Sequence, residues 1–368
     1  MRRIALRYKK CMGVLSMAVA AFLAPGCAPS STSAVVNPEA GREGPPSIHV
    51  WYGDQQDFGR LGVPQKWVNV LGGVTGQRPL KLLYSLNGAA PSPLSLGPDG
   101  KRLARDGDFN VEIDPAALRE GANTVTLVAT DAAGRRAERT VTVNYRSGKA
   151  WPLPYTVDWS KARSIADAVQ VVDGHWRLEA DGVRTASPYY DRVLAFGDRT
   201  WKDYTVTAAV TIHGIRPTHK GPRVHGSAVA IAARWLGHAD DGLQPRVKWY
   251  PLGVAAMLDL PEDLDRCSWH VLHGGDEKNM PAGTIEKDAR KIELGVRYMM
   301  KLRVDKLSGA IARYRAKLWK DGEPEPGWWQ VDAEEAHNSI QAGGALLIAH
   351  NADVTFGKIT ATSNDPRE

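Results

Sequence analysis

From about residue 47 onward, apolar and polar positions alternate in short runs separated by turn residues. The run NTVTLVATD sets Val125, Leu127 and Ala129 on one face and Thr124 and Thr126 on the other, and RTVTVNY repeats the scheme with Val141, Val143 and Tyr145. A period of two is the mark of a strand with one buried face and one wet face. The runs SIHVWYG, KWVNVLGG, LKLLYSLNG, SPLSLG and DFNVEID precede these two at the spacing of a β-sandwich. DPAALREGAN, at 114–123, has the acid–proline start of a helical turn and a glycine stop.

A proline-rich stretch, RSGKAWPLPY, leads into a longer β-rich half. There WKDYTVTAAVTIHGI places Tyr204, Val206, Ala208, Val210 and Ile212 on one face. AIARYRAKLW sets Tyr314, Ala316 and Leu318 against Arg313, Arg315, Lys317 and Trp319. KDGEP then supplies turn chemistry, and Glu323 and Glu325 each precede a proline, which favours extended backbone. The stretch 313–330 therefore predicts a hairpin, with one of Trp328 and Trp329 facing the core and the other the surface. No helical period of any length appears. About ten strands over two hundred residues predict two stacked sheets.

Two resemblances follow from these patterns. The seven short strands and the segment LREGANTVTLVATDAAG resemble bacterial immunoglobulin-like domains of surface proteins, over roughly 47–146. The runs WKDYTVTAAV, KLWKDGEPEP and GGALLIAHNADVTFGKITAT resemble the concanavalin-A-like jelly rolls of the laminin-G-like group, over roughly 156–363. The expected fold is thus all-β: an immunoglobulin-like sandwich over 47–147, a linker at 148–155, a jelly-roll sandwich over 156–363 and a tail at 364–368. The two sandwiches are expected to fold separately. The jelly-roll resemblance implies carbohydrate-binding modules, glucanases, polysaccharide lyases and adhesion domains alike, and fold does not choose among them.

The N-terminus adds a location. Arg2, Arg3, Arg7, Lys9 and Lys10 precede the apolar stretch CMGVLSMAVAAFLAP, which has a signal peptide's length rather than a membrane span's. Gly26-Cys27 resembles the lipobox of bacterial lipoproteins. That resemblance implies a leader over 1–26, a lipidated Cys27, a flexible tether over 27–46 and, with Ala28 following, sorting to the outer membrane. Against the resemblance, Ala24 stands where leucine is usual, and an ordinary secretory signal cut nearby is the alternative. Of three cysteines, only Cys267 then remains, so no internal disulfide is expected and Cys267 reads as a small buried residue. The formal charge of +6 falls to about +1 without the five leader cations, which removes any argument for nucleic acid.

Candidate chemistry is sparse. No H-E-x-x-H or C-x-x-C occurs, no phosphate loop, and no E-x-D-x-x-E strand of the jelly-roll glucanases. The alginate-lyase runs Q-[IV]-H and Y-F-K-x-G-x-Y are also missing. What remains is aromatic and basic: Arg234 and Trp235 in ARWLGH, Lys248, Trp249 and Tyr250 in RVKWYP, and Arg315 in the hairpin strand. Aromatic faces stack on sugars and cations suit acidic ones, so these six form the expected glycan-binding face. Asp158, Asn351 and Asp353 are the oxygen ligands a structural calcium would use. The leading expectation is an envelope-anchored glycan-binding protein. A polysaccharide hydrolase or lyase and a ligand-free structural scaffold remain the alternatives, and oligomeric state is open.

Overall fold

The computed structural model describes residues 44–216, 218–220, 223–275, 284–286, 289–309, 311–335 and 340–364, all within the compact unit Arg42–Glu368. The leader, Cys27 and the tether to residue 43 lie outside the described residues. The described chain is all-β, and its only helices are three single 3-10 turns. None of its helices is long and apolar enough to cross a membrane.

The first sandwich packs a three-stranded sheet on a five-stranded one. The former orders Ser47–Val50, Val68–Thr75 and Asp108–Ile113; the latter orders Gln55–Phe58, Arg136–Tyr145, Gly121–Thr130, Lys81–Leu86 and Ser92–Leu94. Val125, Leu127, Ala129, Val141 and Val143 are fully buried between them, as the alternation predicts. Pro115–Ala117 forms the expected helical turn, capped by the Asp114 side chain.

The second sandwich is larger. Its seven-stranded sheet orders Gln170–Asp173, Arg192–Phe196, Gly344–His350, Ser227–Trp235, Leu252–Leu260, Ser268–Gly275 and Thr284–Ile285. Its eight-stranded sheet orders Trp176–Glu179, Gly182–Thr185, Ala352–Ser363, Tyr204–Ile215, Arg297–Lys306, Ala312–Lys320 and Val331–Glu335, with Tyr155–Val157 also paired to Ala352–Ser363. Tyr204, Val206, Ala208, Val210 and Ile212 all point into the core, and so do Tyr314, Ala316 and Leu318. Cys267 is fully buried there, and burial pushes its thiol up to about 11.

The predicted hairpin is present, but its tryptophans differ from expectation. The return strand is Val331–Glu335, so Trp328 and Trp329 lie in the turn region before it. Neither ring enters the core: Trp328 is 59% exposed, and Trp329 lies beneath Lys317 and Arg315 at 4.5 and 5.3 Å. Each of the two prolines after Glu323 and Glu325 removes a backbone donor, which keeps this segment out of the ladder.

The two sandwiches meet through buried polar groups. In Asp108–Ile113 the apolar residues Phe109, Val111 and Ile113 fill the first core, and Asp108, Asn110 and Glu112 are buried on the other face. Arg102 reaches from the first sandwich to bond Glu112 at 2.8 Å and Asp173 of the second at 2.7 Å. His238 Nε2 lies 3.4 Å from the other Asp173 oxygen, and its Nδ1 faces the Lys248 carbonyl at 3.2 Å. The side chains of Arg102, Glu112, Asp173 and His238 are each 3% exposed or less. Asn110 donates to the Val172 carbonyl, Trp67 Nε1 to the His238 carbonyl, and the Arg246 guanidinium lies 3.6 Å over the Trp67 ring.

At residue 59 the chain leaves the strand Gln55–Phe58 in close approach to the end of the strand paired with it. Gly59 has φ +75°, and a Cβ there would sit 1.9 Å from the Arg146 carbonyl oxygen. Gly59→Ala is expected to cost about 1–3 kcal/mol for the left-handed backbone alone, with the clash added. A urea titration checks this; an unchanged midpoint would contradict the close approach.

Candidate functional site: the outer face of the seven-stranded sheet

Strands of the seven-stranded sheet are apolar on both faces. In Ser227–Trp235 and Leu252–Leu260, Val229, Ile231, Ala233, Val254, Ala256 and Leu258 enter the main core. Their alternates Ala230, Ala232, Ala255 and Met257 join Val172, Val193, Ala195, Leu346 and Ile348 in a second apolar cluster on the outer face. Polar side chains interrupt this face at defined register positions. His350, Ala228, Asp259 and Ser268 form one cross-strand row. The neighbouring row runs Ile348, Ala230, Met257, His270. An alanine thus separates imidazole from carboxylate in the first row, at two strand spacings or about 9.5 Å.

Two Asp–His pairs result, and they differ. His350 Nδ1 donates to Asp191 Oδ1 at 2.7 Å, which leaves Nε2 to accept from Asn351 Nδ2 at 3.2 Å. Asp191 also accepts from the Trp249 indole at 3.1 Å, and the Tyr190 ring meets the imidazole edge-on at 4.6 Å. His350 is therefore fixed at both nitrogens. Asp259 and His270 stand 3.9 Å apart, too far for a hydrogen bond, with side chains 50% and 33% exposed. Burial raises the Asp259 carboxyl above its ordinary range, partly offset by His270 and His350. This pair presents an acceptor and an imidazole to solvent, and a carboxyl with a raised pKa beside an imidazole is able to exchange protons.

Aromatic side chains border the face. Trp249 tilts over Trp235 with centroids 5.6 Å apart, and both Trp249 and Tyr250 are only partly buried.

The six expected ligand contacts do not form one face. Trp249 and Tyr250 sit at this site, and Lys248 is exposed beside them. Trp235 points to the same side but is 0% exposed, sealed by Trp249 and His238, so it supports the face without offering a surface. Arg234 is also 0% exposed; it donates to the Lys202 carbonyl and pairs with Asp203 at 3.1 Å. The reason is a bulge between Ala232 and Trp235, where Arg234 has φ +55°, which breaks the alternation and turns the guanidinium inward.

Arg315 lies on the other sheet, on the outer face of Ala312–Lys320. It pairs with Asp305 at 2.9 Å. Its basic neighbours are matched likewise: Arg313 with Asp332, Arg303 with Asp305, and Lys301 and Lys317 with Glu325. The expected base-rich surface is a lattice of ion pairs.

The calcium expectation also finds no assembled site. Asp158 caps the turn Trp159–Lys161 and pairs with Lys161. Asn351 is fully buried, donating to the Gly226 carbonyl and to His350. Asp353 is clasped by both arms of Arg184, at 2.9 and 2.8 Å. Among the described residues no group of three or more His, Cys, Asp or Glu is placed to hold a metal ion.

Asp191, Asp259, His270 and His350 were not among the expected site residues. The signal for Asp259, His270 and His350 is a polar residue at an outward position of an otherwise apolar strand, as in LGVAAMLDL, SWHVLHGG and GALLIAH, readable only once the strand faces are known; Asp191, just before the strand Arg192–Phe196, carries no such signal.

The chain matches no protein-family model, and no curated protein matches it. Among solved structures, the calcium-bound exoplasmic/lumenal domain of VIP36 is 14% identical over 52% of this chain and 82% of its own, with a TM-score of 0.33. The alginate lyase Aly36B is 9% identical over 57% of this chain and 93% of its own, with a TM-score of 0.36. At such scores neither likeness carries weight for function, which rests on the side chains.

Proposed function

We propose that this chain is a carbohydrate-binding protein that holds a polysaccharide across the outer face of its seven-stranded sheet. The supporting observation is the Asp259–His270 pair, partly exposed on an apolar floor whose partly buried members also include Trp249 and Tyr250. Rings of this kind stack on the apolar faces of sugars, and a carboxylate and an imidazole fix hydroxyls. The alternative face around Arg315 is weaker, because its cations already have carboxylate partners.

One observation favours a second reading. Burial raises the Asp259 carboxyl above its ordinary range beside an imidazole, the direction that a general acid of a hydrolase or lyase requires. A glycan array with product analysis tests both readings. Retained polysaccharide without products supports binding; new reducing or unsaturated ends make the protein an enzyme; no retention contradicts both and favours a scaffold.

The same proposal places the protein at a bacterial outer membrane, with a lipid on Cys27 and residues 27–46 as the tether, on the lipobox resemblance alone. Metabolic labelling with a palmitate analogue is expected to mark the wild-type chain and not Cys27→Ala. Equal labelling of the two would contradict the anchor.

A further inference from the structure

A cavity of about 320 Å³ lies where the first sandwich covers an edge of the second. That edge is formed by the strands Gln170–Asp173 and Trp176–Glu179, one from each large sheet. The volume falls at the low end of the roughly 300–1,000 Å³ typical of small-ligand sites, which favour junctions of this kind. The wall is aromatic on both sides: Tyr52 and Phe58 come from the first sandwich, Trp176 from the second, and Trp151 from the connection between them. These rings are held in place. The Tyr52 hydroxyl donates to the Gly174 carbonyl and accepts from the Trp176 amide, and Trp176 Nε1 donates to the Asp173 carbonyl.

The polar groups of the lining decide the ligand's charge. Arg60 bonds Asp167 at 2.9 Å, and Arg163 lies 3.6 Å from the same carboxylate. The Asp57 side chain is exposed, and its carboxylate has no ion-pair or hydrogen-bond partner among the described residues. Within the lining, the carboxylates of Asp57 and Asp167 outnumber the single guanidinium of Arg60, so the cavity offers an acceptor without a cation while Arg60 keeps donors beyond the one Asp167 uses. Rings with a free carboxylate and amide side chains suit a neutral, hydroxyl-rich ring.

We propose that this junction cavity is a separate carbohydrate site that takes one neutral sugar ring, independently of the polysaccharide face on the seven-stranded sheet. A free monosaccharide or a chain end fits it, and the inner part of a long chain does not. The site exists only with both sandwiches in place, which gives their junction a function beyond support.

The test is saturation-transfer NMR on the full chain with neutral hexoses and N-acetylhexosamines, and with glucuronate for contrast. Ala166 lines the cavity and is exposed, so Ala166→Trp fills it from the solvent side with little burden on the core. Asp57→Ala removes the unpaired acceptor from an exposed position. At least one neutral sugar is expected to bind, Ala166→Trp to abolish that binding, and Asp57→Ala to weaken it about tenfold or more. Trp249→Ala, which alters the sheet face, is expected to leave monosaccharide binding intact. Binding that survives Ala166→Trp with a normal thermal midpoint, binding stronger for glucuronate than for neutral sugars, or no binding across the panel would each overturn the proposal. Should Ala166→Trp misfold, the Asp57→Ala result decides: unchanged affinity overturns it.

Discussion

Replacing Arg102 with alanine is expected to lower the unfolding free energy by about 3–5 kcal/mol. The guanidinium bridges two carboxylates, Glu112 and Asp173, whose side chains are 0% and 1% exposed. Truncation leaves buried Glu112 with only the longer Arg246 ion pair at 3.5 Å and Asp173 with only His238 at 3.4 Å, and the cost is the desolvation of under-paired charge rather than the worth of the pair. Burial alone would raise the Asp173 carboxyl, but Arg102 and His238 outweigh it and hold it below the ordinary value. A folded pKa below the unfolded one means stabilisation that is fully present above about pH 4 and lost as the pH falls through the folded value. Urea denaturation at pH 7 and pH 3 checks both statements. The wild-type advantage over Arg102→Ala should be large at pH 7 and smaller at pH 3. Replacing Arg102, Glu112 and Asp173 together with apolar residues of similar volume should recover much of the loss, since no charge is then stranded. An Arg102→Ala chain as stable as wild type would mean that the junction is not sealed as described. The same reasoning bears on dissection: cutting at 148–155 strips Asp173 of Arg102 and exposes Trp67 and Trp176, so either half alone should lose stability even where it keeps its sheets.

The second large effect concerns the sheet face. Trp249→Ala is expected to weaken polysaccharide binding about 30-fold or more, the 2 kcal/mol loss usual for a buried-edge aromatic anchor. The indole is placed by two contacts, the Trp235 ring beneath it and the Asp191 carboxylate at its N–H. Its truncation removes the stacking surface and frees one oxygen of the carboxylate that orients His350. Arg315→Ala, on the opposite sheet, should leave the affinity unchanged. Affinity electrophoresis in gels carrying the polysaccharide compares the three chains directly. Equal mobility of wild type and Trp249→Ala, with a shift in Arg315→Ala, would move the site to the other sheet.

Much of the fold was legible because one physical rule recurs along the chain. A strand with one buried face alternates, and Val125, Val206 and Tyr314 each mark a face that the structure buries. The site was less legible, for reasons that also have names. Arg234 and Trp235 were chosen by residue type alone, and the bulge that turns the guanidinium inward and seals the indole leaves no mark in ARWLGH itself. The trace of that bulge lies elsewhere in the chain, in Gly253 and Gly343, whose absent Cβ atoms would meet Arg234 at 2.6 and 2.5 Å. His350 and Asp259 could not be seen as members of one row because they are distant in the chain and are aligned through Ala228, a register that the sequence does not print. Arg315 misled in another way. Its charge was read from its own strand, and the neutralising Asp305 comes from the strand beside it.

The most direct test of the binding face reads the histidines themselves. In a chain with assigned imidazole signals, adding the oligosaccharide identified on the array should shift the ring protons of His270 strongly and those of His350 less, since Asp191 and Asn351 hold the latter at both nitrogens. His213, on the eight-stranded sheet beside Thr355, should not move. Shifts at His213 with none at His270 would contradict the account.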